Sequence, residues 1–235
     1  MTVKTLLKKL NLSQEDFSDV KNAIQSAEKN TSGEIQVAVT AESASYSFWE
    51  LLFANVMASI ITAAFIPLAN DFKAFYTKLN WQSCPDWILP VFFLCLYFIF
   101  VIFFFYVSNI PFFDRIIIPV FAKKLAVTQR AMRFFAENGV YETKEHSGIL
   151  IFVSYLEKQV RIIADKGISA KISDDLWNLI ADELAENFHN KKYTEALVNA
   201  VSKCGELLAE NFPAQKDNPN ELSDSLIILE DSEWL

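Results

Sequence analysis

The chain has 235 residues, of which 52% are hydrophobic and 21 are Phe, and it carries a formal charge of −8. The negative charge argues against a nucleic-acid-binding protein, which needs clusters of basic residues to displace counterions from phosphates. The apolar fraction is too high for a purely soluble domain, and the excess is concentrated in two blocks. The cysteines, Cys84, Cys95 and Cys204, have no disulfide or metal-ligand spacing, so we interpret them as small apolar residues.

The first soluble segment is predicted to be a helix followed by a strand. Ser13 and Asp16 form a capping-box pattern, and apolar residues recur at helical spacing as far as Ala27. After a polar turn, residues 34–40 alternate between polar and apolar side chains. This alternation is typical of a strand with one apolar face.

Two long blocks without a charged side chain, residues 51–70 and 87–113, are predicted to cross a membrane. About 20 helical residues, at ~1.5 Å each, span a hydrocarbon core of roughly 30 Å. We place the spans at about residues 49–69 and 88–109, within a transmembrane hairpin of residues 47–112. The second block is mostly Phe, Ile, Leu and Val, whereas the first carries polar and small residues suited to packing against another helix.

The charges that flank the hairpin predict its orientation. Five cations follow the second span, namely Arg115, Lys123, Lys124, Arg130 and Arg133. The loop between the spans, residues 71–86, has only two cations, Lys73 and Lys78. Because cytoplasmic segments next to a span are enriched in Lys and Arg, we expect a two-pass protein of the plasma (inner) membrane with both termini and the soluble domain in the cytoplasm.

Residues 115–138 are predicted to form a long helix that Pro119 divides into an interfacial piece and a soluble helix. Gly139 is expected to cap its C-terminus. The soluble helix carries Leu125, Met132 and Phe135 on one side, and Lys124, Arg130 and Arg133 elsewhere.

The centre of the soluble domain is predicted to be an antiparallel β-hairpin in residues 148–168, GILIFVSYLEKQVRIIADKGI. Residues 149–155 are nearly all apolar, as in a strand that is covered on both faces. Residues 159–164 begin with polar and apolar side chains in alternation, as in a strand with one wetter face. The three residues between them leave room only for a tight connection.

Two helices and an acidic tail are predicted after the hairpin. Ser173 caps the first helix, whose buried stripe is Leu176, Ile180 and Leu184. The buried stripe of the second helix is Leu197, Val201, Cys204 and Leu208. The tail, residues 215–235, is acidic, and its apolar run at 226–229 either docks as a short strand or clip or remains in solvent.

The soluble elements follow the order α-β-(membrane hairpin)-α-β-β-α-α, which predicts a small α/β sandwich. The strands at 34–40 and 149–155 and the helix between them form a right-handed βαβ unit with the membrane hairpin inserted in its crossover. The first strand alone has no sheet to join. Residues 1–46 and 113–214 are therefore expected to fold together as one domain.

Several stretches of the sequence resemble the TPM domain family, namely SAEKNTSGEIQVAVT, the central hairpin, SDDLWNLI and NFHNKKYTEALVNAVSKCGELL. They lie within residues 12–42 and 114–214, and Asn220-Glu221-Leu222 is also similar to bacterial members. The resemblance implies a three-layer α/β/α sandwich with a small mixed sheet, here interrupted by the membrane hairpin. Some members are accessory proteins of membrane complexes. Plant members are linked to photosystem II maintenance and weak acid-phosphatase activity, some with bound calcium.

The candidate site residues are Glu145, His146 and Asp165. If the strands at 34–40 and 149–155 are parallel, these three lie at one edge of the sheet, and Glu42 and Glu157 lie at the other. Their oxygen ligands suit a divalent cation such as calcium, or a carboxylate can poise His146. The alternative is that these residues form an ordinary solvent-exposed polar loop and turn. Many TPM members carry Asp-Asn-Gly where this chain has His146-Ser147-Gly148, so a metal-binding carboxylate of the family is replaced.

The sequence contains no Gly-rich phosphate loop, zinc-ligand spacing or Gly-x-Ser-x-Gly elbow. We therefore expect a membrane-anchored, non-catalytic accessory or binding module that requires no cofactor. Its expected partners are the lipid bilayer and either another membrane protein or a second copy of the chain. The alternative is a divalent-metal-dependent phosphatase with Asp165 and Glu145 as metal ligands.

Overall fold

The computed structural model describes residues 3–214 and 220–229. The chain divides into two compact units, one made of Met1–Ala44 with Val120–Leu235 and the other of Ser45–Pro119. The first unit contains a sheet and the second is helical. The structure therefore belongs to the α/β class, as the sequence predicts.

The described part of the first unit contains six α-helices and four strands. The helices are α1 (Val3–Leu10), α2 (Gln14–Glu28), α7 (Val120–Glu137), α8 (Lys166–Ser169), α9 (Asp174–His189) and α10 (Tyr193–Asn211). The strands are β1 (Glu34–Thr40), β2 (Gly148–Ser154), β3 (Gln159–Ala164) and β4 (Leu226–Leu229). The sequence analysis missed α1, which is short but buries Leu6 and Leu10.

The four strands form one mixed sheet in the order β3-β2-β1-β4. β1 is parallel to β2, with Glu34 opposite Gly148, and it is also parallel to β4, with Val37 opposite Leu226. β2 and β3 are antiparallel, which confirms the predicted hairpin. Of the two alternatives for the apolar run of the tail, the strand is the one that forms.

Side chains on both faces of β1 are buried in separate clusters. Ile35, Val37 and Val39 belong to a cluster with residues of α2, α9 and α10. Ala38 belongs to a second cluster that includes Phe134 of α7. Because successive side chains of a strand point to opposite faces, the two clusters lie on opposite sides of the sheet. All seven residues of β1 are buried.

The buried face of α7 is not the side that carries Leu125 and Met132. Its buried apolar residues are Ala126, Val127, Ala131 and Phe134. Leu125 and Met132 are 56% and 58% exposed, and Phe135 is only partly buried. Apolar residues recur at helical spacing on two sides of this helix, and spacing alone does not indicate which side meets the sheet.

A smaller difference occurs in α9. Ser173 caps this helix, and Ile180 and Leu184 are buried, as predicted. Leu176 is 41% exposed, however, and the neighbouring Trp177 is buried in its place. Burying the larger side chain removes more apolar surface from water.

The second unit contains α3 (Ser47–Phe65), α4 (Ala69–Asn80), α5 (Ile88–Ser108) and α6 (Pro111–Ile117). A 3₁₀ turn joins α3 to α4, so most of the predicted loop between the spans is helical. Two helical stretches, Ser47–Asn80 and Ile88–Ser108, are long and apolar enough to cross a membrane. In the most apolar 18-residue stretch of each, only 11% and 0% of the residues are buried, respectively.

The small and polar side of α3 packs against α5. Ala54 and Ala58 are fully buried, which allows two helices to approach closely. The Tyr97 hydroxyl of α5 donates a hydrogen bond to Asn55 Oδ1 of α3 at 2.5 Å. Asn55, a polar residue in the first of the two apolar blocks, therefore bonds within the helix pair.

We expect Gly148→Ala to destabilise the α/β unit by about 1–3 kcal/mol, because overpacking at a rigid contact has that cost. A Cβ at Gly148 would lie 2.1 Å from the carbonyl oxygen of Val140, which is backbone and cannot rotate away. Chemical denaturation of the detergent-solubilised full chain measures the change.

Gly33→Ala is the matched control, since Gly33 immediately precedes Glu34, the residue of β1 that pairs with Gly148. Its Cβ would meet only the flexible end of the Leu208 side chain, at 2.9 Å. Equal losses of stability in the two variants would contradict the backbone-contact explanation.

Candidate functional site

The candidate residues gather at the edge of the sheet where β1 and β2 begin and β3 ends. β1 and β2 are parallel with Glu34 opposite Gly148, and β3 returns with Ala164 opposite Ile149. Glu145 and His146 precede β2, and Asp165 follows β3, so strand direction alone brings all three to this edge.

His146 and Asp165 form a direct contact. The Nδ1 atom of His146 lies 3.1 Å from Oδ2 of Asp165, and Oδ1 of Asp165 accepts a hydrogen bond from the backbone N–H of Lys166 at 2.6 Å. Asp165 therefore caps α8 and orients the imidazole with the same carboxylate. The Asp165 side chain is only 9% exposed, whereas that of His146 is 46% exposed and reaches solvent.

Glu145 is bonded to the turn before β1. Its Oε2 atom accepts a hydrogen bond from the Ser32 hydroxyl at 2.9 Å. The buried Ser147 hydroxyl donates to the carbonyl oxygen of Ser32 at 3.0 Å. The carboxylate and the two hydroxyls thus join the start of β2 to the start of β1.

The backbone of this loop is held closely against α8. His146 has a φ of 50°, in the left-handed region that side chains other than glycine seldom adopt. A Cβ at Gly167 would lie 2.5 Å from the carbonyl oxygen of His146 and 2.8 Å from that of Glu145. Gly167 is therefore required for the close approach that sets the His146–Asp165 contact.

The carboxylate and hydroxyl oxygens at this edge are of the kind that binds a hard cation, since such oxygens are typical calcium ligands. In the structure, however, they bond to protein groups. Asp165 bonds Lys166 and His146, and Glu145 bonds Ser32. In residues 3–214 and 220–229, no group of three or more His, Cys, Asp or Glu side chains is arranged to hold a metal ion.

A second group of carboxylates at the same edge was not predicted. It joins the tail before β4 to α2 and β1 and consists of Glu28, Glu34, Glu221 and Asp224, which we call the acidic junction. Glu34 Oε2 accepts from Leu222 N–H at 3.3 Å, and Asp224 accepts from Gln25 at 2.7 Å. Glu221 accepts from the backbone N–H of Lys144 at 2.9 Å.

Carboxylates this close raise one another's proton affinity. Burial, reinforced by the negative charges of Glu34 and Asp224, raises the pKa of Glu28 to about 8, although Glu28 accepts a hydrogen bond from Ile35 N–H at 2.8 Å. Burial also raises the pKa of Glu34. At neutral pH the junction therefore holds a protonated Glu28, which relieves repulsion among the carboxylates.

The acidic junction was not predicted from the sequence because its members lie far apart in the chain. Glu34 and Leu222 are 188 positions apart. The one available signal was the similarity of Asn220-Glu221-Leu222 to bacterial TPM members. Asn220 in fact donates to Asp224 at 2.6 Å.

At the opposite edge, where β1 and β2 end, a buried serine–carboxylate network closes the sheet. The Ser154 hydroxyl donates to Glu157 Oε2 at 2.5 Å, and Ser43 N–H donates to Glu157 Oε1 at 2.9 Å. The two serine hydroxyls are 2.7 Å apart. Because Ser154 uses its one hydrogen on Glu157, Ser43 donates to Ser154. All three residues are buried, so this network fixes two loops at this edge of the sheet.

A groove of about 820 Å³ opens between α2 and α10, away from the candidate residues. It is lined mainly by small and polar helix residues. Asp16, at one end, caps α2 and accepts a hydrogen bond from Thr194 at 2.7 Å. The hydrogen bonds from Ser13 hold the pKa of Asp16 below its usual value. The Asp16 carboxylate of this groove thus joins α2 to α10.

Comparison with known proteins agrees with the resemblance seen in the sequence. The profile of the family described as TPM domain matches residues 116–207. The NMR structure of the BA42 protein from the psychrophilic bacterium Bizionia argentinensis aligns with a TM-score of 0.53, covering 92% of this chain and 94% of that one. The two are 23% identical, so the likeness concerns the fold alone. No curated protein matches the chain significantly.

We expect the stability of the α/β unit to fall as the pH rises from about 4.5 to 8. A carboxyl whose pKa is raised on folding stabilises the folded state fully below its unfolded pKa and loses that contribution as the pH passes its folded pKa. Glu28 is such a group, rising from 4.5 to about 8. Glu28→Gln should flatten the pH dependence, since an amide mimics the protonated acid and still accepts from Ile35.

Thermal unfolding of the detergent-solubilised chain at several pH values measures this effect. Glu210→Gln, an exposed position of α10, is the matched control and should keep the wild-type pH dependence. A Glu28→Gln variant with an unchanged pH profile would show that Glu28 is not protonated in the folded protein.

Proposed function

Because residues 116–207 match the TPM domain family, we propose that this chain is a two-pass, membrane-anchored TPM protein that acts as a non-catalytic accessory module of membrane protein complexes. In this proposal its α/β unit is the three-layer sandwich of that family, on the cytoplasmic side. The partner is another membrane protein or a second copy of the chain.

One observation carries the membrane assignment. Two helical stretches with almost no buried surface in their most apolar windows are inserted between β1 and β2, which are neighbours in one sheet. So much exposed apolar surface is stable in lipid and not in water. The five cations between Arg115 and Arg133 support a cytoplasmic position for the α/β unit, since short flanking segments rich in Lys and Arg remain on that side.

The contacts of the candidate residues support a binding role over a catalytic one. Asp165 caps α8, and Glu145 bonds the turn before β1. Glu34 and Glu221 bond the segment before β4 and the loop before β2. Each carboxylate thus holds two parts of the α/β unit together, which is what a stable recognition module needs.

We expect the full chain, extracted in a mild detergent through an N-terminal tag, to co-purify with a partner in fixed stoichiometry. Mass spectrometry and native electrophoresis identify the partner and its copy number. Asp165→Asn should retain the partner, because an amide still caps α8 and no chemistry is involved. A monodisperse, partner-free monomer under these conditions would contradict the accessory role.

The His146–Asp165 pair favours a second candidate function. An imidazole held at 3.1 Å by a carboxylate and open to solvent is a usable proton carrier, and Glu145 and two serine hydroxyls lie at the same edge. This arrangement supports a divalent-metal-dependent phosphatase with Asp165 and Glu145 as ligands of calcium or a similar ion.

In that case the purified full chain should bind calcium in a calorimetric titration and release phosphate from p-nitrophenyl phosphate. Asp165→Asn should reduce both by at least about tenfold, since a ligand carboxylate is lost. Asp174→Asn, an exposed position in the first turn of α9, is the control and should change neither. Absence of calcium binding and of turnover in the unmodified chain would exclude this function.

A further inference from the structure

The side of α7 that faces away from the sheet carries an exposed apolar stripe. Phe121, Leu125 and Met132 are 65%, 56% and 58% exposed. At 100° per residue the three fall within about 40° of one another around the helix. The buried residues Val127 and Phe134 lie on the other side of the helix and join the core of the sheet. The helix thus has a face that packs and a separate apolar face that faces solvent.

The stripe has the dimensions of a membrane-surface helix and not of a protein interface. It is one side chain wide and about 16 Å long, given a rise of ~1.5 Å over 11 residues. A stable protein interface buries roughly 800 Å² on each partner, which needs a broader patch. A single apolar helix face with cationic borders is the pattern of helices that lie in the lipid headgroup region.

The charge beside the stripe and the connection of α7 to the second span also favour a membrane surface as the partner of the stripe. Lys124 is exposed next to the stripe, and Arg115 precedes α7 in the chain. Phe112 and Ile116 of α6 are themselves 66% and 68% exposed. Val120, the first residue of α7, follows Ser108, the last residue of α5, by twelve positions. Twelve residues reach at most about 40 Å even when fully extended.

We propose that the Phe121–Leu125–Met132 stripe of α7 lies in the headgroup region of the anionic membrane that the two spans cross. This inference rests on the proposed two-span anchorage and adds a second, peripheral contact with lipid. Lys124 contacts the acidic headgroups while the three apolar side chains enter the boundary of the acyl chains.

The test uses the full chain with an environment-sensitive NBD probe on a single introduced cysteine. Cys84→Ser and Cys95→Ala remove the accessible thiols, and Cys204 is fully buried with a pKa raised by burial to about 12, so it does not react. Probes are placed by Leu125→Cys and Met132→Cys. The control is Leu179→Cys, a Leu that is 65% exposed on α9, on the other side of the sheet.

The labelled chains are reconstituted in phosphatidylcholine vesicles with and without phosphatidylglycerol. Probes at 125 and 132 should show blue-shifted emission and quenching by a lipid with a nitroxide on its upper acyl chain, and the probe at 179 should show neither. Signals at 125 and 132 that match 179 overturn the proposal. A blue shift without quenching by lipid also overturns it, because the cover is then protein.

Charge reversal tests the choice of anionic lipid. Lys124→Glu should reduce quenching at 125 in vesicles with phosphatidylglycerol, whereas Lys21→Glu, an exposed lysine of α2, should not. Equal quenching of the probe at 125 with Lys124 and with Lys124→Glu overturns the proposed contact between Lys124 and acidic headgroups. Washing the vesicles with alkaline carbonate distinguishes a failure of the α7 contact from a failure of the two-span anchor. A chain that the wash removes from the vesicles does not have two membrane spans. A chain that stays in the vesicles while its probes report water has the spans but lacks the α7 contact.

Discussion

The parallel pairing of β1 with β2 is the constraint on which the rest of the structure depends. β1 is buried over its whole length, and its backbone groups are paired on one side by β2 and on the other by β4. Both neighbours come from the chain beyond the two apolar helices. A buried strand cannot leave its N–H and C=O groups unpaired, so β1 has no stable structure until the later segments arrive. The apolar helices are therefore an insertion into one fold, and the proposed pair of membrane crossings, being even in number, returns the chain to the side of its first strand.

The same pairing sorts the polar residues of the α/β unit by edge. One edge receives the ends of β1 and β2 and is closed by a buried network around Glu157. The other receives their beginnings and collects the His146–Asp165 pair together with the acidic junction of the tail. The concentration of carboxylates at that edge has a cost in repulsion, which protonation of Glu28 reduces. The carboxylates contribute mainly as acceptors that join distant segments, and this is why a binding module agrees with the geometry better than a hydrolase does.

The two apolar sides of α7 explain why residue spacing alone does not show which side is buried, and they motivate the proposed contact with lipid. A helix whose apolar residues serve only the core shows one apolar stripe. α7 shows two, one ending in Phe134 against the sheet and one running from Phe121 to Met132 toward solvent. In a protein surrounded by water, the second stripe would leave apolar surface exposed without stabilising the fold. It is explained when the helix follows a proposed membrane span by a short connection and carries the exposed Lys124 beside the stripe.

The sequence alone determined the local elements, because the spacing of apolar residues, the caps and the absence of charge are properties of neighbouring residues. These signals were enough for the two apolar helices, the antiparallel hairpin and the edge at which Glu145, His146 and Asp165 meet. The tertiary structure alone decided which side of α7 is buried, that the run at Leu226–Leu229 becomes a strand, and that Glu28 meets Asp224. Each of these depends on contact between segments far apart in the chain. Local periodicity carries no information about such contacts, since the same apolar stripe can be stabilised by a sheet, by lipid or by another strand.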